Sequence, residues 1–354
     1  MALTQVDQGL LGTNAQYTGF KNRIINGSMT IDQRNAGASV TVTTFAYTLD
    51  RWYADMTAAS KFSVQQNAGA VTPPAGFSKY LGITSLAATS VGAGDFYTVG
   101  QVIEGLNTAD LSWGSASAST ITISFWVRSS LTGTFGGALN NSGGSRAYPF
   151  TYTISAANTW ELKAVTVAGD TSGTWLTTNG AGIEVKFSLG VGSTYAGTAG
   201  AWTGSNKFGA TGQVNVVATN GATFYITGVQ LEKGSTATSF DYRPYGTELV
   251  LCQRYFQKYG YGVTTGYSVT NVMEGNTDRV ALPLFQTDMR TTPTVIMKQL
   301  ITGTSGQVRQ FSSGATFTAS SSSPAGSSCG GYVQLTASAA GNPLQISGEW
   351  SAEL

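Results

Sequence analysis

The run Ile121-Thr-Ile-Ser-Phe-Trp-Val-Arg128 alternates without a break: Ile121, Ile123, Phe125 and Val127 share one side, and Thr122, Ser124, Trp126 and Arg128 the other. A period of two belongs to a strand with one face in a core. The same rule returns at Ile183, Val185, Phe187 and Leu189, which oppose Glu184, Lys186 and Ser188. It returns again in Thr223-Phe-Tyr-Ile-Thr-Gly-Val-Gln-Leu-Glu232, where Phe224 and Ile226 oppose Thr223 and Tyr225 and Gly228 interrupts as a bulge does. Clusters of Gly, Ser, Thr and Asn separate these runs, and the 45 glycines among 354 residues argue against a helical protein. About seven or more short strands between Lys21 and Pro244 predict a two-sheet sandwich.

The segment Asp241-Tyr-Arg-Pro-Tyr-Gly-Thr247 ends that pattern and marks a boundary. Beyond it, Glu248 to Lys258 is the one sustained run without glycine or proline, and Leu249, Cys252, Phe256 and Tyr259 fit a helical period. Strand-like pieces resume at 280–285, 294–297, 332–336 and 344–350, and the Ser-, Gly- and Ala-rich stretch 312–328 reads as a loop or a weak strand pair. Residues 1–20 are polar with a few apolar positions and no period, and read as a disordered tail or as an arm that becomes ordered when it docks on a partner or a neighbouring subunit. The expected plan is all-β: an arm (1–20), a first sandwich (21–245) and a smaller C-terminal β-sandwich (246–354).

With no histidine, catalytic triads, imidazole bases and histidine-ligated metals are excluded. Nineteen basic and eighteen acidic residues give a net charge of +1, too little for a nucleic-acid surface, so no nucleic-acid partner is expected. Phosphate-binding glycine loops of the GxxxxGK[ST] type do not occur. No run of about 18 apolar residues is present, and the first residues lack a basic and an apolar leader region. Neither membrane insertion nor a cleavable signal is therefore expected. Cys252 and Cys329 read as two reduced thiols rather than a disulfide framework.

Paired carboxylates are the enzymatic chemistry that survives without histidine; Asp50 with Asp55, Glu104 with Asp110 and Glu274 with Asp278 are the candidates for glycoside hydrolysis. Nothing around them raises a pKa, so they read as turn carboxylates and the chain as non-enzymatic. Oxygen ligands near Asp32 and Glu232 would meet around calcium only if the first and last strands pair; no cofactor and no metal is expected. A binding function falls instead to aromatic residues, because sugar rings stack their C–H faces on Trp and Tyr. Trp126 and Arg128 lie on the polar side of their strand, Trp175 and Trp202 stand in glycine-rich polar loops, and Tyr261 and Tyr267 belong to the Tyr-Gly-Tyr-Gly-Val-Thr-Thr-Gly-Tyr run. These six are the expected glycan-binding residues, and Trp52 reads as core.

Lys21-Asn-Arg-Ile-Ile-Asn-Gly-Ser-Met-Thr-Ile-Asp-Gln-Arg-Asn-Ala-Gly37, Tyr47-Thr-Leu-Asp-Arg-Trp52, Phe224 to Gly234, Phe240 to Tyr255, Met289 to Val295 and the ending Gly348 to Leu354 resemble segments of a group of bacteriophage structural proteins. Within this resemblance, residues 21–245 look like a carbohydrate-binding-module jelly roll of the galactose-binding type. That family places structural calcium with acidic residues where this chain has Ser28 and Gly228. The resemblance implies a tail fibre or receptor-binding appendage on the virion, assembled in the host cytoplasm. Its expected partners are other virion proteins through the N-terminal arm, two further copies in a homotrimer, and a host surface glycan. The alternative is a capsid-decoration or adaptor protein with no ligand of its own.

Overall fold

The computed structural model describes residues 21–259 and, beyond them, 267–270, 272–274, 277–281, 286–298, 305, 307–310, 316–323, 332–335 and 343–354. The chain divides into two compact units, one over Met1–Pro244 with Leu354 and one over Tyr245–Glu353.

The first unit is a jelly-roll β-sandwich. Its strands are β1 (Val40–Thr41), β2 (Ala46–Leu49), β3 (Trp52–Met56), β4 (Phe62–Gln66), β5 (Leu81–Ser85), β6 (Phe96–Glu104), β7 (Ile121–Ser129), β8 (Gly133–Asn140), β9 (Ala147–Ile154), β10 (Glu161–Val167), β11 (Ala181–Val191), the short parallel pair β12 (Ala196–Gly197) and β13 (Gly209–Ala210), and β14 (Thr223–Lys233). Two six-stranded antiparallel sheets result, ordered β1-β4-β5-β14-β7-β10 and β2-β3-β6-β11-β8-β9. The chain crosses repeatedly between them, so each sheet joins strands distant in sequence.

Alternation decides what lies between the sheets. Ile121, Ile123, Phe125 and Val127 of β7 are fully buried against Val185, Phe187 and Leu189 of β11 and Phe224 and Ile226 of β14. Phe125 meets Phe187 edge to face at 4.9 Å. Trp52 is wholly buried, as its apolar neighbours predict, and its indole donates to the Asn26 carbonyl at 3.0 Å. The expected irregularity in β14 is present: its register against β7 shifts between Thr227 and Gln230, and Gly228 adopts a φ of +61°. The strand expected at Val214–Val217 is instead a loop running into a 3₁₀ turn at Val216–Ala218, with Val216 and Val217 buried. Apolar content there reflects burial rather than pairing.

In the second unit, helix α1 (Tyr245–Gln253) opens the chain and β15 (Phe256–Tyr259) follows at once. The helical period read through Tyr259 therefore stops at Gln253. Cys252, Tyr255 and Phe256 are buried at this corner, where Gln257 donates to the carbonyls of Gln253 and Thr287. The remaining described strands are β16 (Tyr267–Thr270), β17 (Val272–Glu274), β18 (Thr277–Ala281), β19 (Thr294–Lys298), β20 (Gln307–Gln310), β21 (Thr316–Ser323), β22 (Tyr332–Leu335) and β23 (Pro343–Ser351). The long β23 is the spine: β15 and β19 pair with its second half, β16 and β20 with its first. Cys252 is buried, and Cys329 lies outside the described residues.

Candidate functional site

The four expected glycan-binding residues of the first unit fall into two separate places. Trp126 and Arg128 sit on the outer face of the first sheet, as the alternation of β7 requires. Trp126 opposes Leu162 of β10 and Thr227 of β14, and it lines a groove of about 570 Å³ together with Phe77, Leu162, Gly228, Phe240 and Tyr242. Phe77, Phe240 and Tyr242 pack on one another with centroids 4.9–5.5 Å apart. Gly228 makes room for this cluster, since a Cβ there would stand 2.6 Å from the Phe77 ring. The groove is largely apolar, with Lys163 its only charged lining residue. Arg128 is engaged elsewhere: its guanidinium lies over the Tyr225 ring at 5.5 Å and donates to the Asn158 carbonyl at 3.0 Å.

Trp175 and Trp202 do not stand free in their loops. Each packs edge to face on the other, at 5.4 Å, and on Trp113, at 4.7 and 5.3 Å, while Trp202 also meets Tyr148 at 5.2 Å. Their indole N–H groups go to backbone carbonyls, Trp175 to Ser172 and Trp202 to Ala168. The loop carrying Trp175 is fixed by Asp170, whose carboxylate takes two bonds from Arg146 at 2.6 and 2.7 Å. Glycine-rich surroundings therefore mark tight turns around a packed cluster. Tyr261 lies outside the described residues, and Tyr267 enters β16 opposite Ile346.

A different constellation occupies the outer face of the second sheet. Register places Tyr47, Tyr53, Gly100 and Lys186 side by side across β2, β3, β6 and β11, with Glu184 and Asp55 one step along their strands. The Tyr53 side chain crosses over Gly100, where a Cβ would stand 2.5 Å from its hydroxyl, and donates to Glu184 Oε1 at 2.6 Å. Lys186 pairs with the other Glu184 oxygen and lies 4.5 Å over the Phe208 ring. Burial, then the Glu184 charge and hydrogen bond, push the Tyr53 phenol well above its usual range. Burial likewise raises the Asp55 carboxyl. Over this polar row lies Phe45, still 47% exposed, tilted on Tyr53 at 5.3 Å and edge-on to Tyr47 at 5.7 Å. The row thus sets one open aromatic ring near a carboxylate that Tyr53 and the buried Lys186 hold in place. The signal was legible in part: Glu184 and Lys186 alternate against the core residues of β11, and Tyr53 and Asp55 are two apart.

Four further carboxylates of the first unit hold its fold. Asp50 is buried and accepts from the backbone and side chain of Gln33, both at 2.6 Å. Asp110 takes two bonds from Arg23 at 2.7 Å. Asp32 caps its own turn at Asn35 and Gly37, and Glu232 accepts from Thr238 and Gln230. Calcium at the family's position does not fit this chain: Gly228 supplies no oxygen ligand from a side chain, and the space beside it is filled by Phe77. Among the described residues there is no group of three or more acidic or thiol side chains placed to hold a metal.

No protein-family model and no curated protein matches this chain. Solved structures resemble it distantly. The enzymatically active domain of tailspike protein 4 of bacteriophage CBA120 is 13% identical over 60% of this chain, with a TM-score of 0.32, and the match spans 21% of that domain. A putative sugar-binding protein of Bacteroides thetaiotaomicron is 13% identical over 60% of this chain and all of its own, with a TM-score of 0.32. A family 11 carbohydrate-binding module of Clostridium thermocellum, in complex with a mixed-linked tetrasaccharide, is 11% identical over 56% of this chain and 98% of its own, with a TM-score of 0.28.

Proposed function

We propose that this chain is a non-enzymatic attachment protein of a virion, holding a host surface glycan on the outer face of the second sheet of its jelly roll. The observation that carries the glycan reading is the exposed Phe45 ring seated on Tyr53 beside Asp55, Glu184 and Lys186. Phe45 supplies the stacking face and the Asp55 and Glu184 carboxylates supply acceptors for hydroxyls, while the buried Lys186 ammonium is engaged with Glu184. Tyr53 and Lys186 hold Glu184 as a fixed acceptor, which suits binding rather than proton transfer. The virion role rests on the resemblance of segments 21–37 and 224–255 to phage structural proteins, and assembly as a trimer belongs to the same reading. This reading sets the ligand away from Trp175 and Trp202, whose rings and indole N–H groups are engaged with one another and with backbone.

Titration of host surface polysaccharide into the full chain tests it. Phe45→Ala is expected to weaken binding about 5- to 10-fold, the loss of roughly 1 to 1.4 kcal/mol of stacking, with the melting temperature nearly unchanged. Equal affinity for wild type and Phe45→Ala would refute the site, and shortening of the polysaccharide during the titration would refute the non-enzymatic reading. Gold-labelled antibody on intact particles locates the chain; absence from tail and capsid surface would refute the virion role.

A further inference from the structure

The groove on the outer face of the first sheet lies apart from the glycan platform and is of different chemistry. Trp126, Leu162, Phe77, Phe240 and Tyr242 give it an apolar lining, and Leu162 and Tyr242 are each 57% exposed. Its volume of about 570 Å³ is that of a site for a compact ligand. One wall is the segment 237–242, and the same segment holds the start of the described chain. Asp241 accepts from the backbone N–H groups of Lys21 and Asn22 at 2.9 and 3.2 Å, and the Lys21 ammonium donates to Thr238. Arg243 donates to the Ile24 carbonyl at 3.0 Å. Lys21 is therefore fixed beside this wall of the groove.

We propose that residues 1–20 of the same chain seat on this groove. They carry Val6, Leu10, Leu11, Tyr17 and Phe20, and no lysine or arginine; their one charged side chain is Asp7. The groove matches their apolar side chains with an aromatic and aliphatic lining, and its one charged residue, Lys163, is already paired with Glu161 at 2.6 Å. Ten residues from Lys21 back to Leu11 reach about 33 Å when extended, ample to cross a seven-residue strand such as β10 of about 23 Å. Burying Leu10 and Leu11 against Trp126 and Leu162 removes apolar surface from water on both partners. The proposal is independent of the glycan reading, which concerns the opposite sheet.

Hydrogen–deuterium exchange on the full chain and on a variant lacking residues 2–20 tests it. Removal of the arm is expected to speed amide exchange in 159–167 and 237–242 at least tenfold while leaving 181–191 unchanged; identical exchange in the two proteins would overturn the proposal. Should the shortened chain fail to fold, Leu10→Asp with Leu11→Asp in the full chain is read the same way. Cross-linking of a mixture of isotopically light and heavy full-length chains identifies the source. Links between arm and groove within one chain support the proposal, and links only between light and heavy chains overturn it in favour of a second copy. Added host oligosaccharide that slows exchange in 237–242 of the shortened chain to the full-chain rate would also overturn it, making the groove a glycan site.

Discussion

Gly228→Ala separates the two physical demands placed on β14. The backbone there has a φ of +61°, in the left-handed region, where a Cβ costs about 1 kcal/mol. The added methyl would also stand 2.6, 3.0 and 3.2 Å from three carbons of the Phe77 ring. That ring packs on Phe240 at 5.1 Å and Tyr242 at 5.5 Å, so moving it aside breaks both contacts. Overpacking of this kind costs roughly 1–3 kcal/mol, so the sum is about 2–4 kcal/mol. In a unit of this size each kcal/mol lowers the melting temperature by about 2–4 °C, which puts the expected drop at about 5–15 °C. Gly221→Ala is the control, with a φ of +76° and nothing within 4 Å of the place its methyl would take; only the backbone cost of about 1 kcal/mol applies, a drop of about 2–4 °C. Scanning calorimetry of both variants, and of Gly228→Ala combined with Phe77→Ala, measures the difference. The double variant should recover about 1–2 kcal/mol relative to the sum of the singles. Equal drops for Gly228→Ala and Gly221→Ala, or strict additivity in the double variant, would refute the steric argument.

Three further outcomes are expected. Tyr53→Phe removes a 2.6 Å bond to a carboxylate and should destabilise by about 1.5–3 kcal/mol; a urea midpoint identical to wild type would show that Glu184 finds another donor at no cost. Asp170→Ala leaves Arg146 without its two-bond partner, and because Asp170 is only 2% exposed the loss should approach about 3 kcal/mol, with the 171–176 loop cleaved faster by protease; unchanged cleavage would contradict the tether. Partial burial acts to raise the Asp110 carboxyl, but the hydrogen bonds and charge of Arg23, with Lys233, hold it below its ordinary range, so its contribution is full above pH of about 4 and fades as acid protonates it. Asp110 is 53% exposed, so Asp110→Asn should cost less than about 1 kcal/mol at neutral pH and nothing once the pH falls well below its lowered pKa, whereas a deficit independent of pH would refute the assignment.

Alternation was enough to read β7, β11 and β14, because each has one face in the sandwich core and the period of two is then enforced along its length. It failed at Val214–Val217, where apolar residues are buried from a loop, and past Gln253, where a helical spacing carries on by chance into β15. Trp175 and Trp202 show a related effect. A glycine-rich polar context says that the backbone turns, and here it turns around three tryptophans that pack on one another. The platform of Phe45, Tyr53, Asp55, Glu184 and Lys186 draws on strands that only the sheet order β2-β3-β6-β11 brings together, so local spacing shows the pairs Glu184/Lys186 and Tyr53/Asp55 but not their meeting.

Those resembling segments that lie in the first unit share one mechanical task. Asn22 donates to the Val229 carbonyl and accepts from the Leu231 N–H, Gly27 accepts from the Val229 N–H, and a Cβ on Gly27 would stand 2.2 Å from the Val229 oxygen. Asn26 takes a φ of +57° and binds both backbone groups of Ile31 and the Asp50 carbonyl, while its own carbonyl takes the Trp52 indole. Asp241 and Arg243 clamp the same segment from the far end of β14. The motif is thus a seam that ties the N-terminal segment to the last strand, written in Asn and Gly because the approach is too close for other residues. A seam constrains the fold and leaves the outer sheet faces unconstrained, so chains sharing it need not share a ligand. Under the glycan-binding proposal the residues that set specificity are Phe45, Asp55 and Glu184, which lie outside the seam.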